Sequence, residues 1–262
     1  MHEPEKKDKM RFIGIIPARY ASTRFPGKPL CRIGGKTMIE RVYSQASQVH
    51  ELENVVVATD HEEIAACVKA FGGNVRMTSS SHRSGTDRCA EVFRTLITDF
   101  SPDECAVVNI QGDEPFIQPM QIREIISCMD AGDAPIATLL QPIREESVLH
   151  DPNVVKCVRD IKGNALYFSR YGIPYLRSAA FAGHTFYKHI GMYAYRGDVL
   201  LKIVNLPVSA LEEAESLEQL RWLENGYRIS TALTACAETL SIDTPADLEK
   251  AIRYEKTISN LP

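Results

Sequence analysis

Arg19, Arg24, Lys28 and Arg32 crowd into a short stretch directly behind the first apolar run, RFIGII. Guanidinium groups fork onto phosphate oxygens and an ammonium adds a point charge, so several such cations on one loop suit a triphosphate. Pro26, Gly27 and Pro29 stiffen that loop. A second chemistry-bearing stretch is NIQGDEP, in which Asp113 and Glu114 follow another apolar run. A carboxylate beside phosphates holds Mg²⁺ through oxygen, with water completing the octahedron. Asp243, in SIDTPADL, is a candidate second carboxylate. It also precedes a Thr-Pro helix start, so the sequence leaves it open between metal ligation and capping, and nothing in the spacing pairs it with Asp113. The stretch SSSHRSGTDR offers hydroxyls and backbone donors opening a helix, where anions or polar base edges bind. Ser84 is equally suited to a plain N-cap. His82 and His189 lie in polar motifs between apolar segments, and singly each fits a structural role as well as a catalytic one.

Two familiar phosphate loops are absent. The first strand–helix turn, GIIPAR, has one Gly where the dinucleotide fingerprint needs three. IGGKT mimics the end of a Walker A loop, but Leu30 stands where its first Gly belongs. Gly34-Gly35-Lys36-Thr37 is therefore a turn leading into a helix.

The elements that must position these residues alternate. RFIGII reads as a buried strand, and KTMIERVYSQASQV carries Met38, Val42, Ala46 and Val49 at helical spacing. NVVVATD is a strand whose Asp60 is placed to cap the helix HEEIAACVKAFGG, which Gly72 and Gly73 stop. NVRMT, CAVVNIQGDEP and APIATLL read as strands; GTDRCAEVFRTLI and PMQIREIISCMDAG read as helices. Repeated βαβ units predict a mostly parallel sheet covered by helices. Ligands bind beyond the C-terminal strand ends of such sheets, so loops 17–29, 78–88 and 111–115 should converge. After residue 140 the rhythm changes. NVVKCVRD, ALYFSR and HIGMYAY are strand-like, and EEAESLEQLRWLENG and TPADLEKAIRYEKTI are helical. The expectation is one domain over 12–262, its first half running to about 140 and its later half extending outward in part as a lobe or dimerisation element. Residues 1–11 are expected to be a disordered extension, with Met1 or Met10 as the start.

The chain has 262 residues and a formal net charge of −4, which disfavours nucleic acid and anionic membranes as partners. Seven Cys lie scattered without a C-x-x-C pair, and no long apolar run or leader-like segment occurs. Reduced cysteines imply the cytoplasm.

Taken in order, PARYASTRFPGKPL, ATD, H-x-SGTDR, NIQGDEP, NVVK, ALYFSR, HIGMYAY, LEQLRWLENG and IDTPADLE resemble the 3-deoxy-manno-octulosonate (Kdo) cytidylyltransferases, from about Phe12 to Ala251. The resemblance implies a nucleotide-diphospho-sugar-transferase-like three-layer αβα fold with a mixed, mostly parallel sheet, an inserted dimerisation or sugar-binding element, and a homodimer. It implies transfer of CMP from CTP to Kdo, an activation step for lipopolysaccharide synthesis. On the matching positions it implies that Arg19, Arg24 and Lys28 contact phosphates, with Ala18 beside the nucleotide. Thr78, Ser79, Ser84 and Gly85 would surround the cytidine, and Gln111 would stand at the reacting centre. Asp113 and Asp243 would ligate Mg²⁺, and Arg19, Lys28, Asp113 and Asp243 would form the catalytic set. Arg170, His189, Tyr193, Glu218 and Gln219 would grip the sugar acid. Ser79, Ser81 and Thr37 depart from the residues common at those positions. A relative acting on 8-amino-Kdo or sialate, and a non-catalytic nucleotide sensor, are the alternatives; retention of both Asp113 and Asp243 argues against a sensor.

Overall fold

Alternate residues of the first apolar run feed two different cores, which is why the run shows no polar face. The computed structural model describes residues 10–21, 24–97, 101–178, 180–236 and 240–259. The run becomes β1 (Arg11–Ala18), whose Phe12 and Ile16 pack on one side and Ile13 and Ile15 on the other. Two-sided burial of this kind marks a strand inside a helix-covered sheet. Residues 1–9 of the expected disordered extension lie outside the described residues. Met10 packs against the core and Arg11 opens the strand, so the fold starts two residues earlier than expected.

After the basic loop comes a small hairpin, β2 (Arg32–Ile33) and β3 (Lys36–Thr37), with left-handed Gly34 and Gly35 at its turn. Thr37 then caps α1 (Met38–Ala46), its hydroxyl accepting from the Glu40 amide at 3.3 Å. The βα alternation continues through β4 (Leu52–Thr59), α2 (Glu62–Ala70), β5 (Asn74–Met77), α3 (Gly85–Leu96), β6 (Cys105–Asn109), α4 (Pro119–Ala131) and β7 (Ile136–Pro142). The later half adds α5 (Glu146–His150), β8 (Lys156–Arg159), β9 (Ala165–Ser169), β10 (Tyr187–Arg196), α6 (Gly197–Ile203), α7 (Ala210–Glu215), α8 (Glu218–Glu224), β11 (Ile229–Leu233) and α9 (Pro245–Ser259).

The sheet order is β11-β7-β10-β6-β1-β4-β5, so strands from both halves of the chain share one sheet. All pairs in that run are parallel except those of β10, which runs against β6 and β7. Helices α1, α2 and α4 cover one face, and α3, α6 and α8 the other, giving the three-layer αβα architecture. The β8–β9 ribbon leaves the path through β8, which pairs with β10.

Three local expectations differ. Asp60 does not cap α2: His61 is the N-cap residue, without a side-chain cap bond, and the Asp60 carboxylate turns instead to the buried Arg88 guanidinium at 2.9 Å. A buried cation needs a partner more than an exposed helix end needs a cap. The helix expected over EEAESLEQLRWLENG breaks in two at Ser216, whose φ of 51° ends α7. Strand β11 was not anticipated; its short ISTAL run gains its conformation by pairing with β7.

Candidate active site

The C-terminal end of β1 and the segments that follow β1, β5 and β6 line one cleft of about 330 Å³. Gly27 turns the basic loop: its φ is +69°, and its amide donates to the Tyr20 carbonyl at 3.0 Å. The Tyr20 ring stacks on His61 at 3.8 Å, holding the loop's base against the end of β4. Ser22 and Thr23 lie outside the described residues. Beyond the turn, Lys28 Nζ donates to Asp113 Oδ2 at 2.7 Å, to Asp243 Oδ1 at 3.1 Å and to the Ile242 carbonyl at 3.1 Å. Arg24 pairs with Asp243 Oδ2 at 3.0 Å.

The two carboxylates, separated by 130 positions in sequence, are brought together by the backbone. The Ile242 amide donates to the Asp113 carbonyl at 3.0 Å. The capping alternative for Asp243 resolves onto its neighbour: Thr244 Oγ1 accepts from the Asp247 amide at 3.3 Å, while Asp247 Oδ2 accepts from the Thr244 amide at 3.1 Å. Asp243 is thereby left to the cleft. Gly112 makes the close passage possible, since a Cβ there would stand 2.6 Å from the Pro17 carbonyl oxygen.

Two hard carboxylates converging on one ammonium form a place a small cation would take. Among the described residues no cluster of three or more His, Cys, Asp or Glu able to hold a metal occurs. The donor set fits Mg²⁺, which uses one or two carboxylates and completes its octahedron with water and phosphate oxygens.

The opposite wall is the start of α3. Ser84 caps it in a reciprocal box: Asp87 N donates to Ser84 Oγ and Ser84 N donates to Asp87 Oδ2, both at 3.1 Å. Ser84 and Gly85 line the cleft, as do Ala18, Arg19, Arg24, Lys28, Gln111, Asp113 and Asp243. Thr78 and Ser79 stand behind the wall. The Thr78 hydroxyl accepts from Arg88, and the Ser79 amide donates to Glu91 Oε2 at 2.9 Å.

Gln111 reaches across toward the later half of the chain, its Nε2 donating to the Gly191 carbonyl at 2.7 Å where β10 bulges. His189 and Tyr193 lie on either side of that bulge. His189 Nε2 is 2.9 Å from Thr138 Oγ1, which also lies 2.8 Å from the Met192 carbonyl and 3.3 Å from the Ile190 carbonyl. Desolvation lowers the His189 pKa to about 3, so the imidazole is neutral at physiological pH. Tyr193 is buried edge-on to Trp222 at 5.0 Å, and burial raises its pKa. Glu218 accepts from Thr86 Oγ1 at 2.7 Å and from Arg221 at 2.9 Å; burial pushes its carboxyl above the usual range. Its neighbour Gln219 is 5% exposed.

Arg170 directly follows β9. Its guanidinium donates to the carbonyls of Glu215 at 2.7 Å, Pro152 at 3.1 Å and Ser216 at 3.3 Å. Those bonds tie the end of β9 to the turn between α7 and α8 and to the segment before β8. Sequence reasoning missed Arg88 and Gly112, which both line the cleft. The signal for Arg88 was an arginine four residues past the Ser84 N-cap, on the helix face that also carries Asp87 and Glu91.

A family model described as cytidylyltransferase matches residues 13–229. The 3-deoxy-manno-octulosonate cytidylyltransferase of Parabacteroides distasonis is 55% identical over 253 residues, covering 94% of this chain and 98% of the relative. That of Bacteroides thetaiotaomicron is 53% identical, covering 95% and 100%. The solved structure of CMP:2-keto-3-deoxy-manno-octonic acid synthetase complexed with CTP superposes with a TM-score of 0.88 at 42% identity, covering 95% of this chain and 99% of that one. A 4-diphosphocytidyl-2C-methyl-D-erythritol synthase from Anaerococcus prevotii, at 14% identity and a TM-score of 0.61, shares the fold alone.

Proposed function

This chain belongs to the 3-deoxy-manno-octulosonate cytidylyltransferase family, and from that premise we propose that it transfers CMP from CTP to the anomeric hydroxyl of Kdo, releasing pyrophosphate and activating Kdo for lipopolysaccharide synthesis. The observation that carries the reading is the meeting of Arg24, Lys28, Asp113 and Asp243 at one strand-end cleft.

In-line attack of the sugar hydroxyl on the α-phosphorus needs no protein nucleophile; positioning and charge neutralisation do most of the work. Arg19, Arg24 and Lys28 bind the triphosphate and stabilise charge on departing pyrophosphate. Once phosphates draw Lys28 and Arg24 away, Asp113 and Asp243 are the residues to hold Mg²⁺. A bound Mg²⁺ supplies charge neutralisation at the α-phosphate and a lower pKa for the attacking hydroxyl. Ser84 and Gly85 at the start of α3 offer hydroxyl and backbone donors to the base, behind which Thr78 and Ser79 are held. Gln111 links the nucleotide side to the β10 bulge. Beyond it, His189, Tyr193, Glu218 and Gln219 meet the hydroxyls of the sugar acid, while Arg170 holds the ribbon beside them. His189 is neutral, so it orients by hydrogen bonding.

Two further readings go with this one. The β8–β9 ribbon and the loop after it expose Leu166 (61%), Tyr171 (79%) and Tyr175 (85%), and β9 pairs with β8 alone among the named strands. An apolar surface on an unpaired edge fits a second copy, giving a homodimer. All seven cysteines are free, which suits the reducing cytoplasm; among the described residues no helix is long and apolar enough to cross a membrane.

The test is pyrophosphate release from CTP with Kdo and Mg²⁺, run beside ATP, GTP, 8-amino-Kdo and sialate. CTP with Kdo should be the best pair and the purines weak. Equal use of ATP, or preference for sialate, overturns the assignment.

A further inference from the structure

Arg88 is 3% exposed and lies on α3, one turn past its cap. Its guanidinium gathers three groups from two strand ends. It donates to Asp60 Oδ2 behind β4 at 2.9 Å, to the Thr78 hydroxyl behind β5, and to the Ser79 carbonyl at 3.4 Å. One turn further along the same helix, Glu91 accepts from the Ser79 amide at 2.9 Å and pairs with His82, which lines the cleft. Burial alone would push the Glu91 carboxyl up, but the Ser79 amide and His82 outweigh it and hold it below its usual value. Residues 84, 87, 88 and 91 fall at i, i+3, i+4 and i+7, so one face of α3 is spent on the 78–84 loop. The Thr78 amide donates to the Thr59 carbonyl at the end of β4 at 2.8 Å, and α3 supplies further anchors: the cap at Ser84, partners for both backbone groups of Ser79, for the hydroxyl of Thr78 and for the ring of His82.

Taking a guanidinium out of water is costly and is offset only by close partners. A short surface loop could be held by the Ser84 cap and Glu91 alone. The buried cation adds something else: it locks the loop, the end of β4 and the helix start into one rigid body beside the cleft. We propose that Arg88 is a positioning residue for nucleobase selection, acting through Thr78 and Ser79 to keep the 78–85 wall in the geometry that separates cytosine from uracil. The two bases have nearly the same shape and differ in one exocyclic group and one ring nitrogen, with donor and acceptor exchanged. A wall of fixed donors and acceptors rejects the wrong pattern strongly, because its polar groups are then left unpaired. A wall free to shift would accommodate both.

The inference rests on the cytidylyltransferase reading. The experiment measures kcat and KM for CTP and UTP, with Kdo saturating, in the wild type, Arg88→Met, Arg88→Lys and Thr78→Val, with Tm recorded for each. Arg88→Met should lower the CTP/UTP ratio of kcat/KM at least tenfold, chiefly through a raised KM for CTP, with kcat changed by only a few-fold. Arg88→Lys keeps a charge for Asp60 but cannot fork to Thr78 and Ser79, so it should restore Tm while recovering only part of the discrimination. Thr78→Val removes one anchor without burying a charge; it should shift the same ratio in the same direction even if Arg88→Met fails to fold. If Arg88→Lys and Thr78→Val leave the ratio within twofold of wild type, or if CTP and UTP fall together in step with Tm, Arg88 is structural only and the inference is overturned. A wild type that turns over neither nucleotide instead removes the functional reading beneath it.

Discussion

Asp113 carries two duties that one substitution separates. Its carboxylate faces the cleft and pairs with Lys28, whereas its carbonyl ties down Ile242 through the backbone. Asp113→Asn keeps the second and weakens the first, so the expected outcome is a fall in kcat of roughly 10²-fold or more. The lost ion pair is partly solvated and contributes at most about 1 kcal/mol to stability. Circular dichroism and Tm near wild type, together with that kinetic loss, check it; normal turnover at saturating Mg²⁺ refutes the ligand assignment. His189 gives a pH-dependent counterpart. Its folded pKa, about 3, lies below the usual 6.5 because the charged form is desolvated. The unfolded chain therefore binds a proton that the folded one refuses between those values. Stability is retained above pH 6.5 and lost as pH falls toward 3, by at most about 2 kcal/mol at pH 5. In urea unfolding at pH 7.5 and pH 5, His189→Gln should lose less stability than wild type, while kcat/KM for Kdo falls and CTP affinity by calorimetry stays intact.

At the scale of elements, the last helix decides whether the site is complete. Ala251 of α9 is fully buried with Ile33, Met38 and Ile242, and Arg41 of α1 reaches Glu255 at 3.0 Å. This small cluster seats the segment carrying Asp243 against the first hairpin. Ala251→Asp would bury an unpaired carboxylate there, costing about 2 kcal/mol or more. Activity should drop at least tenfold with the main sheet intact by circular dichroism, because the cluster is separate from the two large cores. The close approach at Gly112 makes a second demand. Gly112→Ala forces the loop bearing Gln111 and Asp113 off the Pro17 carbonyl, and a tens-fold loss of kcat without a matching fall in Tm is the expected reading.

Across the whole molecule, the β8–β9 ribbon is both pinned and exposed. Lys156, fully buried, donates to the carbonyls of Asp151 at 2.8 Å, Val154 at 2.6 Å and Arg170, and so fastens the ribbon's root. Desolvation lowers its pKa, but the carbonyls supply the partners that a buried ammonium needs. Its outer surface carries Leu166, Tyr171 and Tyr175. Leu166→Glu combined with Tyr175→Glu should shift the protein from dimer to monomer by light scattering, with Tm little changed if the ribbon's root is intact. A wild type already monomeric at micromolar concentration refutes the dimer.

The alternation of apolar runs with amphipathic helices determined the αβα layering, since buried parallel strands and their crossover helices leave periodic marks in the chain. The basic loop and the carboxylate at Asp113 were likewise legible, because each follows its own strand within a few residues. Other features depended on partners distant in sequence. Whether Asp243 caps the last helix was decided only when Thr244 took the cap and the Ile242–Asp113 backbone bond drew Asp243 to Lys28. Asp60 looked like a cap until Arg88 supplied a buried charge, and the three carbonyls that meet the Arg170 guanidinium come from two segments distant in sequence. Strand β11 left too short a run to declare itself. Local propensity and period are written residue by residue, whereas the choice among a polar side chain's possible partners is made by which groups share its desolvated surroundings, and only the folded sheet brings those groups together.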